Sequence, residues 1–271
     1  ISANPLLAVE LAACGHRVLS ARSNPIIWLM TEVLAGGYTE KEFSSVVNRL
    51  LNMRHGDATL SNHIQGLYET QCVNCGKMIQ PEGYVWEKGA EFPILKVYQC
   101  QSCGDEGEKE ISDFDHENIS TLGNLGIHRS RAFQRVAFGG SYEHTSLYEA
   151  LDCYLPRALY VCMLLTNVLD RLPIEKRLSK VIRAVLLSIF NDAHSLKHWP
   201  IREYRFLQLS VPQKFFEKNL FLAIQNVSHQ WRHFEKPVEI SYWPNLPPQD
   251  GGICFFQRAL AEKKQLIPEN M

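Results

Sequence analysis

Hydrophobic positions recur along this chain with different periods, and the changes in period mark its elements. Leu6, Leu7, Val9, Leu11 and Ala12-Ala13 predict a helix that Gly15 ends, at the position where a left-handed residue is least strained. His16–Ala21 reads as a short buried strand. Ser23-Asn24-Pro25 is then a loop with proline at the first turn of a second helix, Ile26–Ala35, which Gly36-Gly37 closes. Together these form one helix–strand–helix unit at the edge of an α/β sheet, with its preceding strand expected upstream of Ile1. Thr39-x-x-Glu42 is a capping box for another helix, with Phe43, Val46, Val47, Leu50 and Leu51 at helical spacing. Asp57 is expected to cap the next, which carries Leu60, Ile64 and Leu67 on one face.

Residues 70–104 change character: Tyr84-Val85-Trp86 and Ile94–Tyr98 are β-type stretches. Asp105–Glu117 holds seven carboxylates and one lysine, a solvated loop or face. Residues 118–145 read as loop-rich, up to Gly139-Gly140 and a little beyond. Helical spacing returns at a second capping box, Ser146-x-x-Glu149. Three further helices are read: Arg157–Leu172 after Pro156, Ile174–Leu196 with Val181, Ile182, Val185, Leu186 and Ile189 inward, and Pro212–Val227. A proline-rich tail ends in a short segment, Ile253–Ala261. The organisation expected is an αβα segment with helices (1–69), a cysteine-bearing module (70–104), an acidic then basic loop region (105–145) and a helical region with its tail (146–271).

Composition narrows the class. The chain has 271 residues, 45% hydrophobic and 21% charged, which excludes disorder throughout and suits one large or two small folded domains. Its longest apolar runs, Ala158–Leu165 and Ala184–Phe190, fall far short of the ~20 residues of a membrane span. No basic-then-apolar leader opens it, so a cytoplasmic location is expected. Because it begins at Ile1 rather than Met, a longer gene product is expected upstream. The net charge of −1 excludes a protein that coats DNA by bulk charge, so nucleic-acid contacts must come from local patches.

The strongest chemical signal is Cys72-Val-Asn-Cys75-Gly76 paired with Cys100-Gln-Ser-Cys103-Gly104 across 24 intervening residues. A two-residue gap brings both sulfurs of a tight turn to one metal at ~2.3 Å, and the following glycine lets the backbone turn. Two such knuckles joined by β-type sequence make a zinc ribbon, with a turn at Pro81-Glu82-Gly83 or Lys88-Gly89. Disulfides or a redox pair leave the duplication unexplained. Four thiolates close the coordination sphere, so Zn²⁺ here is structural. Cys14, Cys153, Cys162 and Cys254 read as buried free thiols. The pairs His194/His198 and His229/His233 have i, i+4 spacing but lack a carboxylate partner motif, and read as surface pairs. No nucleophile elbow, phosphate loop or metalloprotease helix is present. In His128-Arg-Ser-Arg-Ala-Phe-Gln-Arg135, Arg129, Arg131 and Arg135 stand beside an aromatic, a combination that grips phosphates and stacks on bases; the competing reading is a counterweight to the acidic stretch.

Residues 6–35 resemble a segment of the S-adenosylmethionine-dependent DNA methyltransferases that modify adenine N6 or cytosine N4. Ala12, Gly15, Val18, Asn24 and Pro25 carry the likeness. Leu67-Tyr68-x-Thr70-x-Cys72-x-x-Cys75-Gly76, with Trp86 and Tyr98-x-Cys100-x-x-Cys103-Gly104, is similar to the zinc-ribbon insertion of a subgroup of these enzymes. Pro156–Tyr160 and Leu187–Leu196 match more loosely. The resemblance implies an α/β fold, a partial Rossmann-like methyltransferase domain with an inserted ribbon. It also implies S-adenosylmethionine beside Asn24 and Pro25, and DNA held by the ribbon together with the three arginines. Departures accompany it: Ser2-Ala3-Asn4-Pro5 replaces the glycine-rich loop, Arg22 replaces the acidic ribose-binding residue, and the catalytic Asp/Asn-Pro-Pro-aromatic string is absent, Asn245-Leu-Pro-Pro-Gln249 being nearest. The chain then reads as a fragment completed by missing flanks or a partner chain, or as a degenerate member; the alternative is a non-enzymatic zinc-ribbon module binding nucleic acid or protein.

Overall fold

The computed structural model describes residues 4–21, 24–122, 125–138, 144–200, 209–231, 234 and 236–256. The chain runs α1 (Pro5–Ala13), β1 (Arg17–Ala21), α2 (Pro25–Ala35), α3 (Glu40–Leu51), β2 (Arg54–His55), β3 (Ala58–Thr59) and α4 (Leu60–Tyr68). There follow β4 (Thr70–Gln71), β5 (Met78–Ile79), β6 (Gly83–Glu87), β7 (Leu95–Gln99), β8 (Glu106–Glu110), α5 (Asp113–Ser120), α6 (Leu125–Ala137) and α7 (His144–Asp152). The last elements are α8 (Pro156–Leu169), α9 (Ser179–Ala193), β9 (Lys214–Lys218), α10 (Leu220–Gln230), β10 (Ile240–Tyr242) and β11 (Gly252–Phe256). The architecture is mixed α/β, in two compact units, with three of the four chain boundaries inside α3, α9 and α10 and the fourth between α8 and α9. No helix among the described residues is long and apolar enough to cross a membrane.

The first unit comprises residues 1–46, 174–185 and 228–271. Its helix–strand–helix start is the one the sequence predicts. Asn4 and Asn24 each accept the N–H two residues on (Leu6, 3.0 Å; Ile26, 2.9 Å), and a proline follows each cap, where its missing N–H costs nothing. The parallel sheet has the order β1-β11-β10, with β1 at the edge. All five residues of β11 are buried, as a central parallel strand requires. Gly251 must be glycine: its φ is +120°, and a Cβ there would lie 2.5 Å from the Ala12 carbonyl oxygen. Trp28 of α2 packs on Phe255 and Tyr242, with ring centres 5.1 and 5.6 Å apart. The Thr39–Glu42 box forms as predicted, with Glu42 accepting from the Thr39 N–H at 2.8 Å.

The second unit comprises residues 47–173 and 186–227. Its four-stranded antiparallel sheet has the order β8-β7-β6-β9, so the ribbon's strands continue beyond 70–104 at both edges. Several sequence expectations are corrected here. Residues 214–218, expected to be helical, form β9, because pairing with β6 buries Phe215 and Glu217 on the face of Trp86 and Tyr84 and Phe216 on the face of Val85. Residues 125–137, expected to be loop, form α6, which lies against α8 with Ala132 buried. Thr59, not Asp57, caps α4, because β3 delivers its hydroxyl to the Asn62 N–H at 3.2 Å. Ser146 lies inside α7 rather than at its cap, while Ser112 and Asp115 form an unforeseen box at α5. Cys153, Cys162 and Cys254 are buried thiols, but Cys14 is exposed past the end of α1.

Two buried ion pairs organise this unit. Arg157 of α8 binds Glu217 of β9 through Nε (2.9 Å) and a terminal nitrogen (2.6 Å), and it also donates to the Leu67 carbonyl. Trp86 of β6 donates to the same carboxylate at 2.8 Å, and the guanidinium lies over the rings of Tyr68 and Tyr84. Lys96 of β7 donates to Asp115 (2.8 Å), Thr70 (2.8 Å) and the Gln71 carbonyl (2.9 Å), satisfying all three ammonium protons. Thr70 in turn donates to Asp115 at 2.5 Å. Thus Asp115, read from sequence as part of a solvated stretch, is fully buried. Burial opposes its charge, but Lys96, Thr70 and Ser112 outweigh that and hold its carboxyl below 3.8.

Lys96→Met is expected to cost ~3–5 kcal/mol, because it strands a buried carboxylate without its cation. Urea unfolding checks this. The folded pKa of Asp115 lies below its unfolded value. Its contribution is therefore complete above the unfolded pKa and is lost as pH falls through the lower folded value. Urea midpoints should decline on acidification below pH ~4, and less steeply in Asp115→Asn.

Candidate metal centre

The ribbon's tip is built by two matching turns. The first runs between β4 and β5 and carries Cys72 and Cys75; the second runs between β7 and β8 and carries Cys100 and Cys103. In each, the glycine N–H returns to the first cysteine's carbonyl, Gly76 to Cys72 and Gly104 to Cys100, both at 2.9 Å. Both glycines are left-handed (φ +70° and +75°), the role the sequence assigns them. The four sulfurs lie within 4.8 Å of one another, with Cys72–Cys103 at 3.6 Å and Cys75–Cys100 at 3.7 Å. Tetrahedral thiolates at ~2.3 Å from one ion stand ~3.7–3.8 Å apart, so this cluster fits a metal ion such as zinc.

The local field also favours thiolates. Burial opposes ionisation of Cys72, yet the N–H groups of Cys75 and Asn74 bring it down to about 6. The Ser102 N–H lowers Cys100 in the same way. Cys75 moves oppositely, to about 11: the Lys77 N–H favours its thiolate, but burial and the neighbouring sulfurs prevail. Without a cation, four adjacent thiolates cannot all ionise; a divalent metal removes that repulsion.

Three residues to which the sequence assigns no role at the site support the turns. Tyr98, buried between Cys72 and Cys100, accepts from the Val73 N–H at 3.0 Å and donates to Asp105 at 2.6 Å. Asp105 also holds Lys109 at 2.5 Å and lies 3.9 Å from the Cys72 sulfur. The available signal was strand alternation, which turns Tyr98 inward two residues before Cys100.

Other predicted residues are not brought to this cluster. Asn24 and Pro25 belong to the first unit, where the Asn24 side chain is engaged as a helix cap. Arg22 and His233 lie outside the described residues. Arg129, Arg131 and Arg135 sit on α6. Arg129 pairs with Asp152, and Arg135 pairs with Asp170 at 2.6 Å. On a helix Arg131 and Arg135 share a side, whereas Arg129 points nearly opposite to Arg131. His229 pairs with Glu40, and His194 lies past the end of α9, so His194/His198 is not a helical pair. No protein family, curated protein or solved structure matches the chain.

Cys75→Ser is expected to abolish stoichiometric zinc binding and raise hydrogen exchange across residues 70–104, leaving α8 and α9 protected. Tyr98→Phe should keep the four ligands yet weaken zinc ~10–100-fold, by freeing the Val73 N–H and Asp105. Competition with a chromogenic chelator measures both.

Proposed function

We propose that this chain is a DNA-binding protein of the amino-methyltransferase type, with a structural zinc ribbon and an incomplete cofactor half-site. The observation that supports it most is the pairing, in one chain, of a four-cysteine ribbon with a helix–strand–helix unit. That unit's strand runs parallel at a sheet edge and leads into an Asn-Pro helix start. Zinc fits its residues, and its role is to staple two turns that share only a small apolar cluster, Cys72, Tyr98 and Cys100 with Ile79.

S-adenosylmethionine fits less well. The Asn24 side chain is engaged by the Ile26 N–H, and the position where the resembling enzymes place a ribose-binding carboxylate is Arg22, which cannot accept a hydrogen bond. No methyl-transfer step is therefore assigned to this chain alone. DNA contact is assigned to α6 and the ribbon, through phosphates.

Filter binding to duplex DNA over a salt series tests the DNA reading. Each arginine engaged on phosphate contributes ~0.9 to the log–log slope. Arg129→Ala/Arg131→Ala/Arg135→Ala should flatten the slope, and Asp152→Asn/Asp170→Asn should raise affinity by releasing two of the arginines. An unchanged affinity in the triple variant would make the patch an internal counter-charge. Titration calorimetry with S-adenosylmethionine is expected to show no saturable heat; saturable binding would restore a working cofactor site.

A further inference from the structure

A second cluster of metal-type side chains lies in the same unit, away from the cysteines. His55 ends β2, His63 sits in α4 and Tyr160 sits in α8. The Nε2 of His63 lies 2.7 Å from the Tyr160 hydroxyl, and the Nε2 of His55 lies 3.4 Å from that same oxygen. Two imidazole nitrogens therefore converge on one phenol. A phenol carries a single proton, so it can donate to only one of them. The rings of His55 and His63 are 4.6 Å apart at 50°. Two imidazoles bound through nitrogen to one cation at ~2.0–2.1 Å, with a nitrogen–metal–nitrogen angle of ~90–110°, place their ring centres roughly 4.5–5 Å apart whatever the tilt between the rings.

The scaffold holds this arrangement. The β2–β3 hairpin pairs Arg54 with Thr59 and His55 with Ala58, and Thr59 caps the helix that carries His63. Tyr160 stands on α8, whose neighbouring residues Leu159 and Val161 are buried. The His128 ring covers the Tyr160 ring at 4.7 Å and closes one side. All four side chains are half-buried, so a small ion has access and bulk water is limited.

We propose that His55 and His63 form a second metal site, taking one borderline divalent cation of the zinc, nickel or copper class. The two Nε2 lone pairs coordinate it, Tyr160 stands beside it as a neutral phenol, and water fills the remaining positions. Imidazole is the donor these cations prefer, and hard cations such as Mg²⁺ are excluded by the lack of carboxylates in the donor set. Burial, and then the neighbouring His55, keep His63 below its ordinary value, so its nitrogen is unprotonated and available near neutrality. The site is independent of the DNA reading.

Calorimetric titration of the full chain, its cysteine cluster already zinc-loaded, with Ni²⁺ alone tests this. One Ni²⁺ per chain is expected, weakened by about tenfold or more in His55→Ala and in His63→Gln, and unaffected in His229→Ala. The glutamine variant retains a hydrogen-bonding group for Tyr160, so loss of binding there is not loss of fold; unchanged zinc content in each variant checks this. Absence of Ni²⁺ uptake by the parent, or undiminished uptake by His63→Gln, overturns the proposal.

Discussion

Charge taken out of water must be matched, and the larger unit is arranged around that constraint. Arg157, Glu217, Lys96 and Asp115 are almost wholly buried, and each stands on a different element. Tyr84 joins the two pairs: its ring lies under the guanidinium and its hydroxyl reaches Asp115 at 3.4 Å. Such pairs add little net stability over well-packed apolar residues, but breaking one is costly. Their effect is to make alternative registers expensive. A one-residue slip of β6 against β9 would turn Trp86 and Glu217 to opposite faces.

The ribbon therefore has two separate supports. At its base, the ion pairs hold the sheet to α8 and α5, and the ring stack of Trp86 on Phe215 joins β6 to β9. At its tip there is little apolar surface to bury, and the thiolate cluster takes over. Tyr98 connects the two levels: its alternation partner on β7 is Lys96, and its hydroxyl braces the first turn. The residue that braces the cysteine cluster and the lysine of the buried ion pair lie on neighbouring inward positions of one strand.

The smaller unit is held differently. Its sheet is parallel, its middle strand is apolar on both faces, and no buried ion pair crosses it among the described residues. Lys180 and Tyr242 both reach Glu32 at the partly exposed rim, where the ammonium contributes little to stability. Position is set by backbone fit, with Gly251 admitting the chain beside the end of α1.

Features written within a few residues were legible. The first helix–strand–helix, the proline-led helix starts, the Thr39–Glu42 box and the two cysteine knuckles all follow from short spacings, because caps, turns and paired thiolates act locally. Tertiary structure decided the rest. Phe215-Phe216-Glu217 is too short a run to separate helix from strand until β6 lies beside it. Asp115 reads as solvated amid six other carboxylates, and it is Lys96, on β7, that supplies the counter-charge for its burial. His55 and His63 carry no recognisable spacing, since a hairpin and α4 bring them to Tyr160 on α8. Local sequence sets conformation through backbone sterics and capping; which charges and rings meet depends on contacts that the chain closes only when it folds.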